Sequence, residues 1–179
     1  MYKITKSMDV DFAHHVSGHM GKCINIHGHT WKFEVTLKSS ILNHNGFVVD
    51  FGELKKKVLE PVKELLDHSF VIAYDTFAEI EKELMGIGRA LIATRVDHEP
   101  IDMNILTQLA SLNGCIQWYC GGITVTTFPF SPTSERLAWW LYDTAKKACI
   151  LDLDVTVDEA KVYEQLHPVE AYAVYRGEC

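Results

Sequence analysis

Apolar and polar residues alternate strictly over residues 31–38, with Trp31, Phe33, Val35 and Leu37 on one side and Lys32, Glu34, Thr36 and Lys38 on the other. A period of two predicts a half-buried strand. One parity also joins Tyr2, Ile4, Met8, Val10 and Phe12, broken only by Lys6, so residues 2–14 predict a first strand with His14 on its apolar face at the end. A loop over residues 16–25 would bring the two strands into antiparallel pairing. Asn45-Gly46 marks a turn. Asp50 and Glu53 read as a capping box ahead of an amphipathic helix over 51–66, whose stripe is Phe51, Leu54, Val58, Val62, Leu65 and Leu66. Pro61 should kink or restart that helix, and Lys55, Lys56 and Lys57 form a solvated face.

Residues 73–126 carry the weakest pattern. Phe77, Ile80, Glu83 and Leu84 suggest one helix and residues 103–112 another, with Gly114 as its stop, followed by short strands at 115–120 and 123–128 around Gly121-Gly122. Ser131 then reads as the N-cap of a further helix, with Pro132 at the first helical position and Glu135 in the first turn. Its stripe is Leu137, Trp140, Leu141, Ala145, Ala148 and Cys149, with Trp139 off the stripe as a hint of a subunit interface. Strands over 155–164 and 170–176 flank a turn at Leu166-His167-Pro168. Without 73–126 the order is strand, strand, helix, helix, strand, strand. That order predicts an α+β fold, a four-stranded antiparallel sheet with both helices on one face.

Composition narrows the class. The 179 residues are 47% hydrophobic and include no Pro- or Ser-rich linker, which predicts a single domain over 1–179 with an insertion at about 73–126. A formal net charge of -7 argues against a general nucleic-acid or anionic-membrane binder, which needs a basic face. No apolar run approaches the ~18 residues of a spanning helix, and the N-terminus opens no signal-like apolar region. The expected location is cytoplasmic. Five cysteines at unrelated spacings predict reduced thiols, with Cys115 and Cys120 buried.

The densest chemistry lies at Cys23, His27 and His29, one thiol and two imidazoles within seven residues. If the second strand starts at His27, both imidazoles leave one face, and Gly28 between them adds no side chain. His14, at the adjoining strand end, would complete a three-imidazole site with an open fourth position, the pattern of catalytic zinc. His15 and His19 read as solvated loop histidines. Asp67-His68 follows the first helix. A carboxylate can orient an imidazole for proton transfer, but adjacent side chains rarely face one another, and a cation closing a helix is the plainer reading.

Five ordered motifs resemble the 6-pyruvoyltetrahydropterin synthase family: Cys23 to His29, Gly46 to Phe51, Leu66-Asp67-His68, Pro132 to Glu135, and Val162-Tyr163-Glu164. The three-residue spacing between Cys23 and His27 is most similar to the bacterial branch that makes 6-carboxy-5,6,7,8-tetrahydropterin for queuosine. The resemblance implies a tunnelling fold and Zn2+ on His14, His27 and His29. It implies Cys23, Asp67 and His68 as the proton-transfer group, Glu164 as anchor of the pterin's N–H donors, and Thr133 and Ser134 near the same ring. Lys22 is a candidate for the triphosphate. Glu159, on the same strand as Glu164, is the lower-ranked rival.

The reaction so implied converts 7,8-dihydroneopterin triphosphate to 6-carboxytetrahydropterin, acetaldehyde and triphosphate. The partner expected is a small pterin, with no nucleic acid and no membrane, in a trimer-based homo-oligomer, a hexamer of two stacked trimers. Two alternatives stand beside it: a sister enzyme that makes 6-pyruvoyltetrahydropterin or cleaves the side chain for folate, and a non-catalytic pterin- or zinc-binding module. The chain departs from the family's pattern at Val10 to His14, in the length of 73–126, and in a longer last hairpin.

Overall fold

The computed structural model describes residues 1–94, 106–149 and 154–177. The described strands are β1 (Tyr2–His14), β2 (His27–Ser39), β3 (Phe70–Ala73), β4 (Thr107–Leu112), β5 (Cys115–Tyr119), β6 (Thr124–Phe128), β7 (Val155–Gln165) and β8 (Ala171–Tyr175). The helices are α1 (Phe51–Leu54), α2 (Glu60–Leu66), α3 (Tyr74–Ile92) and α4 (Ser134–Cys149), with a π turn over Lys55–Leu59 joining α1 to α2. Hydrogen bonds order the strands β4-β5-β6-β3-β1-β2-β7-β8. The sheet therefore has eight described strands rather than four. It is also mixed, because β3 runs parallel to both β1 and β6. The α+β class stands. No described helix is long and apolar enough to cross a membrane.

The chain divides into two compact units. The first takes Met1–Val10, His29–Glu64 and the described part of Thr133–Cys179, and holds the predicted order β1, β2, β7, β8. The alternation read from the sequence is the burial pattern here: Trp31, Phe33, Val35 and Leu37 are fully buried. Leu137, Trp140, Leu141 and Ala145 of α4 are buried as well, and α4 packs on β7 and β8. Trp139 stays exposed. The opposite polar side of β2 is cross-linked to its neighbours by Lys32–Glu170, Glu34–Lys161 and Lys38–Asp158 ion pairs, with Thr5 and Thr36 hydroxyls bonded at 2.9 Å.

Two terminus predictions change in detail. Asp50 caps α1 by accepting from Gly52 and Glu53 amides, but Glu53 pairs with Lys57 one turn on instead of reaching back. Pro61 restarts the helix, as expected, falling in the first turn of α2 (Glu60–Leu66). Its missing N–H removes a bond of the α pattern, and the turn before it widens to the π form. The cap of α4 is Thr133, whose Oγ1 accepts from the Arg136 amide at 3.4 Å and whose carbonyl accepts from the Leu137 amide. Ser131 instead accepts from the Ser17 amide at 3.0 Å.

The second unit, Asp11–Gly28 and Leu65–Pro132, contains most of the segment that the sequence leaves weakest. The helix read near Phe77 extends over 19 residues as α3, and Phe77 and Leu84 pack with Phe70, Ile72, Cys120 and Val125. The helix expected over 103–112 is a correction: 107–112 is strand β4, and 103–105 lies outside the described residues. Asn113 and Gly114 both have positive φ, 48° and 81°, and close a β4–β5 hairpin in which Leu112 faces Cys115. Such a pair is a hairpin turn whose twist matches the strands, so Gly114 is no helix stop. Gly88 of α3 lets the helix approach the β5–β6 turn; a Cβ there would stand 1.5 Å from the Cys120 carbonyl oxygen. Burial, then the nearby Glu81 charge, pushes the Cys120 thiol up to about 11, which leaves it inert.

Candidate metal and pterin site

The site is built where β1 ends and β2 begins. His14, only 1% exposed, lies at the point where β1 pairs in parallel with β3, opposite Val71. Its Nδ1 is 3.0 Å from the Pro132 carbonyl oxygen. His27 opens β2 with its Nδ1 2.8 Å from the Asn25 carbonyl oxygen. A carbonyl can only accept, so both rings donate from Nδ1, and as neutral imidazoles they present lone pairs at Nε2. Those two Nε2 atoms are 3.1 Å apart. Two acceptors at that distance repel unless a cation lies between them. The separation also approaches the roughly 3.4 Å edge of a tetrahedral zinc set. The outer carbonyls fix each ring as second-sphere partners of metal-bound imidazoles do.

Gly28 permits the close passage of β2 beside β1, since a Cβ would meet the Phe12 carbonyl oxygen at 3.3 Å. His29 follows on β2, edge-on to the Trp31 ring, with its Nε2 3.6 Å from Glu164 Oε1. Within the second unit His14 and His27 present two imidazole nitrogens to one point, and within the first unit His29 and Glu164 present an imidazole and a carboxylate. Imidazoles and carboxylates are donors suited to zinc. The sequence reading names the three histidines and Glu164, but not the closeness of Glu164 to His29. The register Lys32↔Tyr163 and Phe33↔Val162, continued by one residue, places Glu164 opposite Trp31 and diagonal to His29. That signal exists only once β7 is paired.

Cys23 belongs to neither pair. It sits half-buried in a 3-10 turn, Lys22–Ile24, and its carbonyl accepts from the Val16 amide at 3.1 Å. Lys22 is exposed. Asp67 and His68 do face one another: His68 adopts a left-handed backbone, φ 58°, and its Nδ1 comes 3.2 Å from Asp67 Oδ2. Asp67 also accepts from the Asp11 amide at 3.1 Å, while the His68 amide donates to the Asp11 carbonyl at 2.7 Å. The imidazole itself is open to water, with its side chain 82% exposed.

Thr133 and Ser134 start α4 and are half-buried. His15 is half-buried rather than solvated, its amide donating to the Val71 carbonyl, whereas His19 is exposed. Glu159 is 9% exposed and held by Lys161 at 3.0 Å and Arg176 at 2.7 Å. Burial opposes its charge, but the hydrogen bonds from those two cations outweigh it and hold the carboxyl below the usual range.

Comparison with known proteins identifies the family. The family model described as 6-pyruvoyl tetrahydropterin synthase matches residues 3–178. A 6-carboxy-5,6,7,8-tetrahydropterin synthase of Haemophilus influenzae is 37% identical over 94 residues, 51% of this chain and 65% of that protein. One of Aquifex aeolicus is 28% identical over 128 residues, 72% of this chain and 59% of that protein. The matched region thus spans about half to two thirds of the first curated relatives. Among solved structures, an uncharacterised protein of Wolinella succinogenes superposes with TM-score 0.72 at 22% identity, covering 99% of this chain and 98% of that one. The 6-pyruvoyl tetrahydropterin synthase of Caenorhabditis elegans superposes with TM-score 0.56 at 15% identity, covering 99% and 96%. With a family model matching nearly its whole length and a shared fold, the chain belongs to the 6-pyruvoyl tetrahydropterin synthase family.

Proposed function

We propose that this chain is a zinc-dependent 6-carboxy-5,6,7,8-tetrahydropterin synthase of the cytoplasm. It would convert 7,8-dihydroneopterin triphosphate to 6-carboxytetrahydropterin, acetaldehyde and triphosphate in queuosine formation. The observation that carries the reading is the pair of facing Nε2 atoms of His14 and His27, 3.1 Å apart. His14, His27 and His29 would hold the zinc, which supplies Lewis acidity that makes the substrate's side-chain hydroxyls and adjoining C–H groups more acidic.

The chain's own groups do the rest. Cys23, on its half-buried turn outside the imidazole set, is the proton acceptor. Asp67 holds His68 Nδ1, so the outer Nε2 of His68 gives and takes protons at the water-exposed side. Glu164 binds substrate as an acceptor of its donors. Thr133 and Ser134 border the ring. The active form is a trimer-based homo-oligomer.

The family model's own description favours a second reading, synthesis of 6-pyruvoyltetrahydropterin. Product analysis of the zinc-loaded protein separates the two. Acetaldehyde with the carboxy-pterin supports the first; the pyruvoyl product supports the second. Tight pterin binding without turnover of any dihydroneopterin derivative overturns both.

A further inference from the structure

The segment 73–126 carries the weakest sequence pattern of the chain, and the start of its helix α3 meets the loop that follows β1 at one residue. Ser17 lies in the loop between β1 and β2, the loop that carries Cys23. Its hydroxyl is 2.8 Å from Thr76 Oγ1, in the first turn of α3. Its amide donates to Ser131 Oγ at 3.0 Å, just beyond the segment's other end. All these residues belong to the second unit.

The proton order in this contact follows from its last acceptor. Asp75 Oδ1 takes the Thr76 amide at 2.7 Å and lies 3.3 Å from Thr76 Oγ1. An ionised carboxylate only accepts, so the Thr76 hydroxyl donates to Asp75 and the Ser17 hydroxyl donates to Thr76. A chain of hydroxyls ending on a charge polarises each bond in turn and is stronger than an isolated contact. From Ser17 the path to the thiol is short. The neighbouring Val16 amide donates to the Cys23 carbonyl at 3.1 Å, and the His19 amide turns back to the Val16 carbonyl at 3.4 Å. His15, one residue earlier, is fastened to Val71 of β3 at 3.2 Å.

We propose that the first turn of α3 braces the cysteine loop, with Thr76 and Asp75 as positioning residues that act through Ser17 on Cys23. The proposal rests on the catalytic role given to Cys23 above, but its first readout does not. In the full-length, zinc-loaded protein, the rate of Cys23 alkylation by iodoacetamide is followed by mass spectrometry of the Cys23 peptide. Thr76→Val keeps the shape and β-branching of the side chain while removing the hydroxyl. It should speed alkylation by about three- to tenfold, what loss of a single hydrogen bond shifts between two states. Turnover should fall by a similar factor through kcat, with KM unchanged, and Thr76→Ser should restore both. Ser17→Ala removes the same bond from the other side and should reproduce the effect. Wild-type alkylation and kcat in both Thr76→Val and Ser17→Ala would overturn the brace. If Cys23→Ala keeps full turnover, the catalytic reading of the thiol fails, while the alkylation rates still decide whether the brace exists.

Discussion

Two glutamates of β7, five residues apart, should fail in opposite ways. Glu159 is nearly buried and takes Lys161 on one oxygen and the Arg176 guanidinium on the other, while Lys161 also reaches Glu34 at 3.1 Å. Glu159→Gln keeps the shape and removes the charge. Breaking a fully buried pair costs about 3–5 kcal/mol, but the Arg176 side chain is 71% exposed and rehydrates, and Lys161 keeps Glu34. The loss should therefore be about 2 kcal/mol, or a Tm lower by about 4–8 °C for a chain of this size. The sign with pH is set by the direction of the shift. A carboxyl held low in the folded state contributes above its unfolded value of ~4.3 and loses that contribution as pH falls through the lower folded value. Urea unfolding of wild type and Glu159→Gln should thus differ near neutrality and converge in acid. Glu164→Gln should instead leave stability within about 0.5 kcal/mol, keep zinc on the three imidazoles, and weaken substrate binding by on the order of a few kcal/mol. If Glu159→Gln is as stable as wild type yet loses the substrate, the structural and functional assignments are reversed.

Four further outcomes are expected. The purified chain should hold about one zinc, more weakly as pH falls because protons compete for imidazole nitrogens, and full activity after chelation would contradict this. Cys23→Ala should bind zinc and substrate but lose turnover; a sulfur-to-metal charge-transfer band in the cobalt form that vanishes with metal loss in this variant would make Cys23 a ligand instead. Light scattering should report a trimer-based assembly, and a monomer at assay concentration would count against it. Gly88→Ala should destabilise by about 3 kcal/mol or more in urea unfolding, because its Cβ has no room beside the Cys120 carbonyl; a wild-type midpoint would show that α3 can shift away.

Much of the first unit was legible because its periodicities are long and one-sided. The alternation over 31–38 and the stripe of α4 each predict a buried face, and Trp31, Phe33, Val35, Leu37, Leu137, Trp140, Leu141 and Ala145 are buried as read, while Thr36, Ala138 and Thr144 are buried besides. Helix ends were less legible, since Ser131, Pro132, Thr133 and Ser134 all suit a start. What decides is tertiary: His14 takes the Pro132 carbonyl and Ser17 takes the Ser131 hydroxyl, so Thr133 is left to cap. The segment 107–112 was misread because Leu106, Leu109, Ala110 and Leu112 suit either period. Only the left-handed Asn113-Gly114 pair distinguishes a hairpin from a helix stop.

The site shows the same division between what local pattern carries and what pairing carries. His27 and His29 share a strand face through Gly28, so their convergence follows from two residues of spacing and was readable. His14 follows from the parity of β1, provided the loop returns the chain beside it. Asp67 and His68 meet only because His68 takes φ 58°, a conformation uncommon for a residue with a Cβ and invisible in the letters Asp-His. Glu164 required the β2–β7 register, which a bulge between Thr36 and Leu37 shifts by one residue farther along. On the near side of that bulge Glu164 falls beside His29; Glu159 pairs with Thr36 at the bulge itself and turns to Lys161 and Arg176. One strand thus carries two carboxylates with the same letters and opposite duties. Separating them takes the partners that the paired strands bring, which is why stability and substrate binding, measured on the two variants together, test the assignment more sharply than either measurement alone.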